Sequence, residues 1–352
     1  MLFLHGSFLL GKSNLSEFVK KLLDKFNVYG LVQKEGVLKL ELLDSAEALT
    51  IPEAGRSLLP PKKILFPEYE VLFEYELVDS QDVKIKDRLK DLEKQKTVIF
   101  GLRPCDVRSI SIMDKVLLGD IADPYYRIRR ENTYLIAIIC RDITDYCFCY
   151  FTNGGPAIDH GYDLLFTDLD DRYLVEVGSK KGMELIEYGR ELFLDASVED
   201  FAKKDELVNL LVAKMMDKYV LPQTELVYEK LSEKYNDAIW DEYGGKCLSC
   251  GKCNFVCPTC TCFDIRDEVD ISLKRGMRIR TWDGCHFLSF TKVASGEVFR
   301  KEKPSRLKHR VYHKWVYSVN RIGDVSCVGC GRCIEVCPAN VDLRKILKEV
   351  IG

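Results

Sequence analysis

Apolar positions recur along this chain in two rhythms, and the switches between them mark out its elements. Phe18, Leu22, Leu23 and Phe26 fall at helical spacing behind Asn14-Leu-Ser-Glu17, which reads as a capping box. Residues 29–32 and 37–42 alternate with period two and predict a pair of strands joined across Lys34-Glu-Gly36. Pro60-Pro61 ends that unit. The charged segment 82–94 predicts a helix leading into an apolar strand, 97–100. A helix through Val107, Ile110 and Leu117 then precedes a second apolar strand, 134–140. Strand, helix, strand is a βαβ unit, so these two strands are expected parallel in one sheet. Residues 163–166 and 173–177, joined by Asp168-Leu-Asp-Asp171, predict a hairpin. Helical patterns fill 181–234 and return at 264–274.

Composition changes this picture at one place. Residues 1–240 hold four cysteines and residues 241–352 hold eleven. The expectation is an α/β N-terminal domain, 1–240, followed by an α-helical ferredoxin-like two-cluster domain, 241–352. With 352 residues, 47% hydrophobic and 30% charged, the chain has ordinary globular balance. Its net charge of -3 gives no general attraction to nucleic acid or to a membrane surface. Residues 1–5 lack a basic leader region, and no apolar run approaches the length of a membrane span. Fifteen cysteines in that setting point to metal in a reducing cytoplasm rather than to disulfides.

Two stretches share one spacing. Cys247, Cys250, Cys253 and Cys257 precede Pro258; Cys327, Cys330, Cys333 and Cys337 precede Pro338. Each is C-x2-C-x2-C-x3-C-P, the run that holds [4Fe–4S] cubanes in bacterial-type ferredoxins. There the fourth cysteine ligates the other cluster. Cluster 1 is therefore expected on Cys247, Cys250, Cys253 and Cys337, and cluster 2 on Cys327, Cys330, Cys333 and Cys257. Structural zinc takes cysteines in pairs, which fits runs of three plus one poorly. Residues 258–326 separate the runs, far more than a compact two-cluster ferredoxin needs, and a helical insertion is expected there.

Seven cysteines remain. Cys105 follows strand 97–100 and Cys140 ends strand 134–140, so both belong at the carboxyl edge of the sheet, where open α/β sheets bind ligands. Cys147 and Cys149 lie on the next loop. These four make a candidate third cubane; the competing reading is inert buried thiols. Cys260, Cys262 and Cys285 form a candidate further iron–sulfur site with one iron left open, or simply pack beside the neighbouring cluster.

Other signals carry less. Gly6 to Ser13 matches the P-loop pattern, but its middle residues are apolar and no magnesium-binding Asp ends a following strand, so nucleotide binding is not expected. Arg300, Lys301, Lys303, Arg306, Lys308, Arg310, Lys314 and Arg321 crowd the approach to the second run, with Glu302 the only acid among 300–321. They read as a solvated face, a docking surface, or charge that offsets anionic clusters.

Several motifs appear in one order: Arg56-Ser-Leu-Leu-Pro-Pro-Lys-Lys63, Gly101-Leu-Arg-Pro-Cys-Asp106, Asp123-Pro-Tyr-Tyr126 with Arg129-Arg130, and Tyr146-Cys-Phe-Cys149. Cys257-Pro-Thr-Cys-Thr-Cys262, Arg280-Thr-Trp-Asp-Gly-Cys285 and the run Cys327 to Pro338 follow. This set resembles the β subunits of cytoplasmic sulfhydrogenases, which are soluble [NiFe] hydrogenases, and the A subunit of anaerobic sulfite reductase. The resemblance spans roughly residues 1–348. It implies an iron–sulfur electron carrier working beside a flavin subunit that binds NAD(P)H and a catalytic hydrogenase- or reductase-type subunit. The rival from another class is a reductase in its own right, using an open-iron cluster at Cys260, Cys262 and Cys285 on disulfide or sulfur.

Overall fold

The computed structural model describes residues 6–79, 82–222 and 224–351; the leader reading of residues 1–5 lies outside them. Twelve strands occur among these residues. In the first half they are β1 (Ser7–Gly11), β2 (Asn27–Lys34), β3 (Val37–Leu42), β4 (Tyr69–Leu77), β5 (Val83–Asp87) and β6 (Thr97–Leu102). Then come β7 (Thr133–Ile138), β8 (Leu164–Asp168), β9 (Arg172–Val177), β10 (Phe193–Asp195), β11 (Phe263–Val269) and β12 (Arg275–Trp282).

The larger sheet runs in the order β10-β1-β9-β8-β7-β6-β2-β3. Its centre is parallel: β2 beside β6, β6 beside β7, β7 beside β8. The expected βαβ unit is therefore present, as are the hairpins β2–β3 and β8–β9. Both faces of β6 and β7 are buried, which is why these strands read as continuous apolar runs. Phe18, Leu22, Phe100 and Phe166 fill one face; Ile99, Val107, Ile110, Tyr126 and Leu135 fill the other, under the helix Pro104–Leu117. β7 ends at Ile138, so Cys140 lies two residues beyond the strand rather than at its end.

Three expectations change. Segment 82–94 gives β5 and a single turn, Leu89–Leu92, because Val83 and Ile85 alternate with Lys84 and Lys86 and pair with β4. Segment 264–274 opens a hairpin: Ile265, Asp267 and Val269 of β11 stand opposite Arg280, Arg278 and Gly276 of β12. The insertion is thus not all helical, and its hairpin joins a second sheet, β11-β12-β4-β5, built from both halves of the chain. Asn14 makes no side-chain cap, since it already lies in helical conformation within the turn Lys12–Asn14 that precedes the helix Leu15–Leu23.

A buried ion network anchors the second sheet to the first. The Arg280 Nε donates to Glu70 at 3.1 Å, and the Arg280 guanidinium also pairs with Asp123, while Arg129 pairs with Glu70 from the helix Pro124–Glu131. Arg280 and Glu70 side chains are each only 3% exposed. Removing one partner strands the other's charge in low dielectric. Glu70→Gln should therefore cost roughly 3 kcal/mol, read as a lower urea midpoint of the anaerobically purified protein. An unchanged midpoint would mean the network contributes nothing net.

Candidate metal centres

The two cysteine runs fold alike. Each passes through a left-handed glycine, Gly251 at φ +73° and Gly331 at φ +74°, into one helical turn, Lys252–Phe255 or Arg332–Glu335. Only glycine takes that conformation without strain, and a Cβ on Gly331 would also sit 2.4 Å from the Tyr146 carbonyl. The two turns pack on each other.

That packing crosses the runs. Cys247, Cys250 and Cys253 line one cavity together with Cys337. Cys327, Cys330 and Cys333 line a second with Cys257. Cys333 and Arg310 line both, so the cavities are neighbours. All fifteen cysteines are free thiols, and Cys250 is exposed. Among the described residues no three His, Cys, Asp or Glu side chains are placed to hold a single metal ion. The thiols ring open space instead. Four soft donors around one cavity fit an iron–sulfur core in kind and number.

Positive charge lies beneath these thiols. Arg306, Arg310 and Lys314, spaced by four along the helix Lys303–Tyr312 and its continuation His313–Tyr317, are all buried on one face. The Arg310 Nη1 lies 3.5 Å from Cys260 Sγ, and the Lys314 amine donates to Thr259 Oγ1 at 2.9 Å. Burial works against the Arg310 charge, but the thiols of Cys253, Cys260, Cys257 and Cys333 outweigh it and hold Arg310 well above its usual value. In return, burial pushes Cys253 up to about 12 and Cys333 up to about 11 while Arg310 pulls both down. A bare thiolate is costly here; a metal-bound one beside Arg310 is not. Lys301, Lys303 and Arg321 remain exposed, so the basic segment is part solvated face and part buried counter-charge.

The other seven cysteines form two groups. Cys105, in the first turn of the helix Pro104–Leu117, packs with Cys149, Cys147 and Cys330 in one apolar cluster. Cys140 joins them through Cys147 and Cys149, whose charges it feels. Cys260 adjoins Cys257, and Cys262 adjoins Cys285, whose Sγ accepts from Asn254 Nδ2 at 3.3 Å. Lys62 reaches this second group: it is buried, donates to the Cys260 carbonyl at 2.8 Å, and sits 3.8 Å over the Trp282 ring. Burial brings it down to about 8 against the pull of Cys260, Cys257 and Cys262. Sequence reasoning missed Lys62; for the basic segment it left a solvated face, a docking surface and counter-charge open, and the four-residue spacing of Arg306, Arg310 and Lys314 was the available signal for which residues turn inward. At the P-loop-like stretch, Lys12 pairs with Asp168 at 2.9 Å, and Ser7–Gly11 is itself strand rather than a phosphate loop.

A family profile described as "4Fe-4S dicluster domain" matches residues 246–341. With the crossed cavities inside it, that match defines an iron–sulfur protein of the dicluster class. The chain is 33% identical to Sulfhydrogenase 2 subunit beta of Pyrococcus furiosus over 338 residues, 95% of either chain, and it belongs to the sulfhydrogenase β-subunit family. It is also 22% identical to F420-dependent formate dehydrogenase subunit beta of Methanocaldococcus jannaschii, over 49% of this chain and 40% of that one. Among the described residues no helix is long and apolar enough to cross a membrane.

The second run is held by close backbone contact with the N-terminal half. The Phe148 N–H donates to the Gly329 carbonyl at 2.7 Å, Arg56 Nε donates to the Cys330 carbonyl at 2.8 Å, and Arg332 pairs with Asp106 at 2.8 Å. A Cβ on Gly154 would lie 2.2 Å from the Val328 carbonyl oxygen. Gly154→Ala should therefore destabilise the protein by about 1–3 kcal/mol, seen as a lower thermal midpoint. An equal midpoint would show that this contact yields without cost.

Proposed function

We propose that this chain is the iron–sulfur electron-transfer subunit of a multi-subunit cytoplasmic oxidoreductase. It relays electrons between a flavin subunit that binds NAD(P)H and a catalytic subunit of hydrogenase or sulfite/sulfur-reductase type. The observation that carries this reading is the crossed pair of four-cysteine cavities sharing Cys333 and Arg310. Cys247, Cys250, Cys253 and Cys337 would hold one [4Fe–4S] cluster, and Cys327, Cys330, Cys333 and Cys257 the other. When bound, each cluster supplies one-electron redox chemistry at a potential set by charge, hydrogen bonds and exposure. The chain's own part is to fix the thiolates, keep Arg310 between the two sites, and bring one ligand, Cys250, to the surface. Relatives named as subunits of a sulfhydrogenase and a formate dehydrogenase support partner subunits of this kind. Neither nucleic acid nor membrane insertion has a place in this reading.

One observation favours a second reading. Lys62 is buried near Cys260 and Cys262, and among the described residues no carboxylate neutralises it. An open-iron cluster on Cys260, Cys262 and Cys285 would let the chain reduce a disulfide or sulfur by itself. Sustained sulfide release from polysulfide by the isolated chain with a chemical reductant would favour this reading; none would leave the relay.

Cys250→Ser and Cys330→Ser should each remove about four irons per chain and stop hydrogen- or sulfite-linked turnover of the assembled complex. Full turnover in both variants would end the relay reading. Arg310→Gln removes one positive charge beside both sites, so both potentials should shift negative in a redox titration. If neither potential moves, Arg310 is a packing residue only.

A further inference from the structure

We infer that Cys105, Cys140, Cys147 and Cys149 hold a third [4Fe–4S] cluster, placed against Cys330 so that it continues the relay into the α/β domain. The inference rests on the relay reading for its role, but the site stands on its own geometry. β6 and β7 are parallel neighbours, so the segments leaving their carboxyl ends start side by side. Cys105 follows the first strand at a helix N-terminus and Cys140 follows the second. The loop after Cys140 folds back to present Cys147 and Cys149, anchored where the Thr144 N–H donates to Cys147 Sγ at 3.2 Å. Topology alone thus brings four thiols to the edge where open α/β sheets place ligands.

Their surroundings are those of a soft metal site. Cys105 and Cys149 are buried with Ile112, Met215 and Val328, and Met215 Sδ lies 4.0 Å from Cys149 Sγ. Arg103, buried, faces Cys140, and the buried ion pair of Arg332 with Asp106 faces Cys105, so Arg103 is the uncompensated positive charge on this side. A group of four thiols is a complete donor set for a cubane. It needs no ligand from the diclusters' eight.

The position fixes the order of transfer. Cys330, a ligand of the second cavity, shares an apolar cluster with Cys105, Cys149 and Cys147. The second cavity in turn shares Cys333 and Arg310 with the first. The path therefore runs from the sheet edge to the second cavity and on to the first, which ends at exposed Cys250. Each hop takes one electron from a reduced cluster to its oxidised neighbour, with no bond made or broken.

The test uses the full chain, purified without oxygen and reduced with dithionite. About twelve irons and twelve acid-labile sulfides per chain are expected, and about three unpaired spins when every cluster is reduced. The double variant Cys140→Ala/Cys147→Ala, which keeps Cys105 and Cys149, the two buried thiols beside Cys330, should lose about four irons and one spin while the coupled signal of the dicluster persists. Cys147→Ser alone, a milder change, should show the same loss if the double variant folds poorly. A wild-type chain with about eight irons, or variants that keep all their iron, would overturn the site. Failure of the relay reading looks different: turnover would survive Cys250→Ser and Cys330→Ser whatever the iron count.

Discussion

Buried positive charge without a carboxylate partner is the constraint around which the cysteine-rich half is organised. Arg310, Lys314 and Lys62 are each nearly inaccessible, and among the described residues no acid lies within ion-pair distance of any of them. An ion placed so costs several kcal/mol unless something anionic answers it. The groups that face these cations are thiols and carbonyls. Burial makes most of these thiols weaker acids than usual, and only Cys257, hydrogen-bonded to Cys260 and beside Lys314 and Arg310, is held well below the ordinary thiol value. Metal-bound thiolates meet the requirement, which ties the stability of this half to the loading of its clusters. The same charges that balance the clusters in the folded state also raise their potentials.

The second constraint is steric. Residues 146–154 are laid directly on residues 327–331, close enough that glycine is required at Gly154 and Gly331. Arg56 and Arg332 clamp the same seam through the Cys330 carbonyl, Glu335, the Ser57 carbonyl and Asp106. A loop that only tethered two domains would leave space there. Contact this close keeps the geometry between neighbouring thiol groups fixed, and protein interiors packed to this density change shape little.

Much of the site was legible because cysteine spacing encodes it directly. A loop of three thiols and a displaced fourth favours cubanes over structural zinc and predicts that Cys257 and Cys337 cross between the runs, and each does line the cavity of the other run. The parallel pair β6 and β7 was legible because strands buried on both faces read as unbroken apolar runs. The second sheet was not. β5 and β11 are exposed along their whole length, and the short alternation of Val83 and Ile85, or of Phe263 and Ile265, is outweighed by the Lys, Asp, Glu and Arg around it. Charged residues spread over such segments look like the solvated face of a helix. Each pairs with its neighbour in sequence, β5 with β4 and β11 with β12, but the two hairpins become one sheet only through the distant pairing of β4 with β12. Lys62 was hidden for a related reason: a lysine after two prolines looks like a surface turn until the fold lays it over Trp282.

These points together explain the length of the segment between the two cysteine runs. Residues 258–326 do three things that a short connection could not. Their first residues set Cys260 and Thr259 against Cys257, and Thr259 Oγ1 donates to the Ser326 carbonyl at 2.5 Å, joining the start of the insertion to its end. Their hairpin carries Arg280 and Trp282 down to Glu70, Asp123 and the Phe66 carbonyl, locking the insertion to the N-terminal part of the chain. Their last helix drives Arg306, Arg310 and Lys314 under the thiols from a direction neither cysteine loop occupies. A core of the two cysteine loops alone would lack Arg306, Arg310 and Lys314, which lie buried on a separate helix. Adding counter-charge to such a core requires an element that enters from outside and is held there. The insertion is that element, and the second sheet is its anchor.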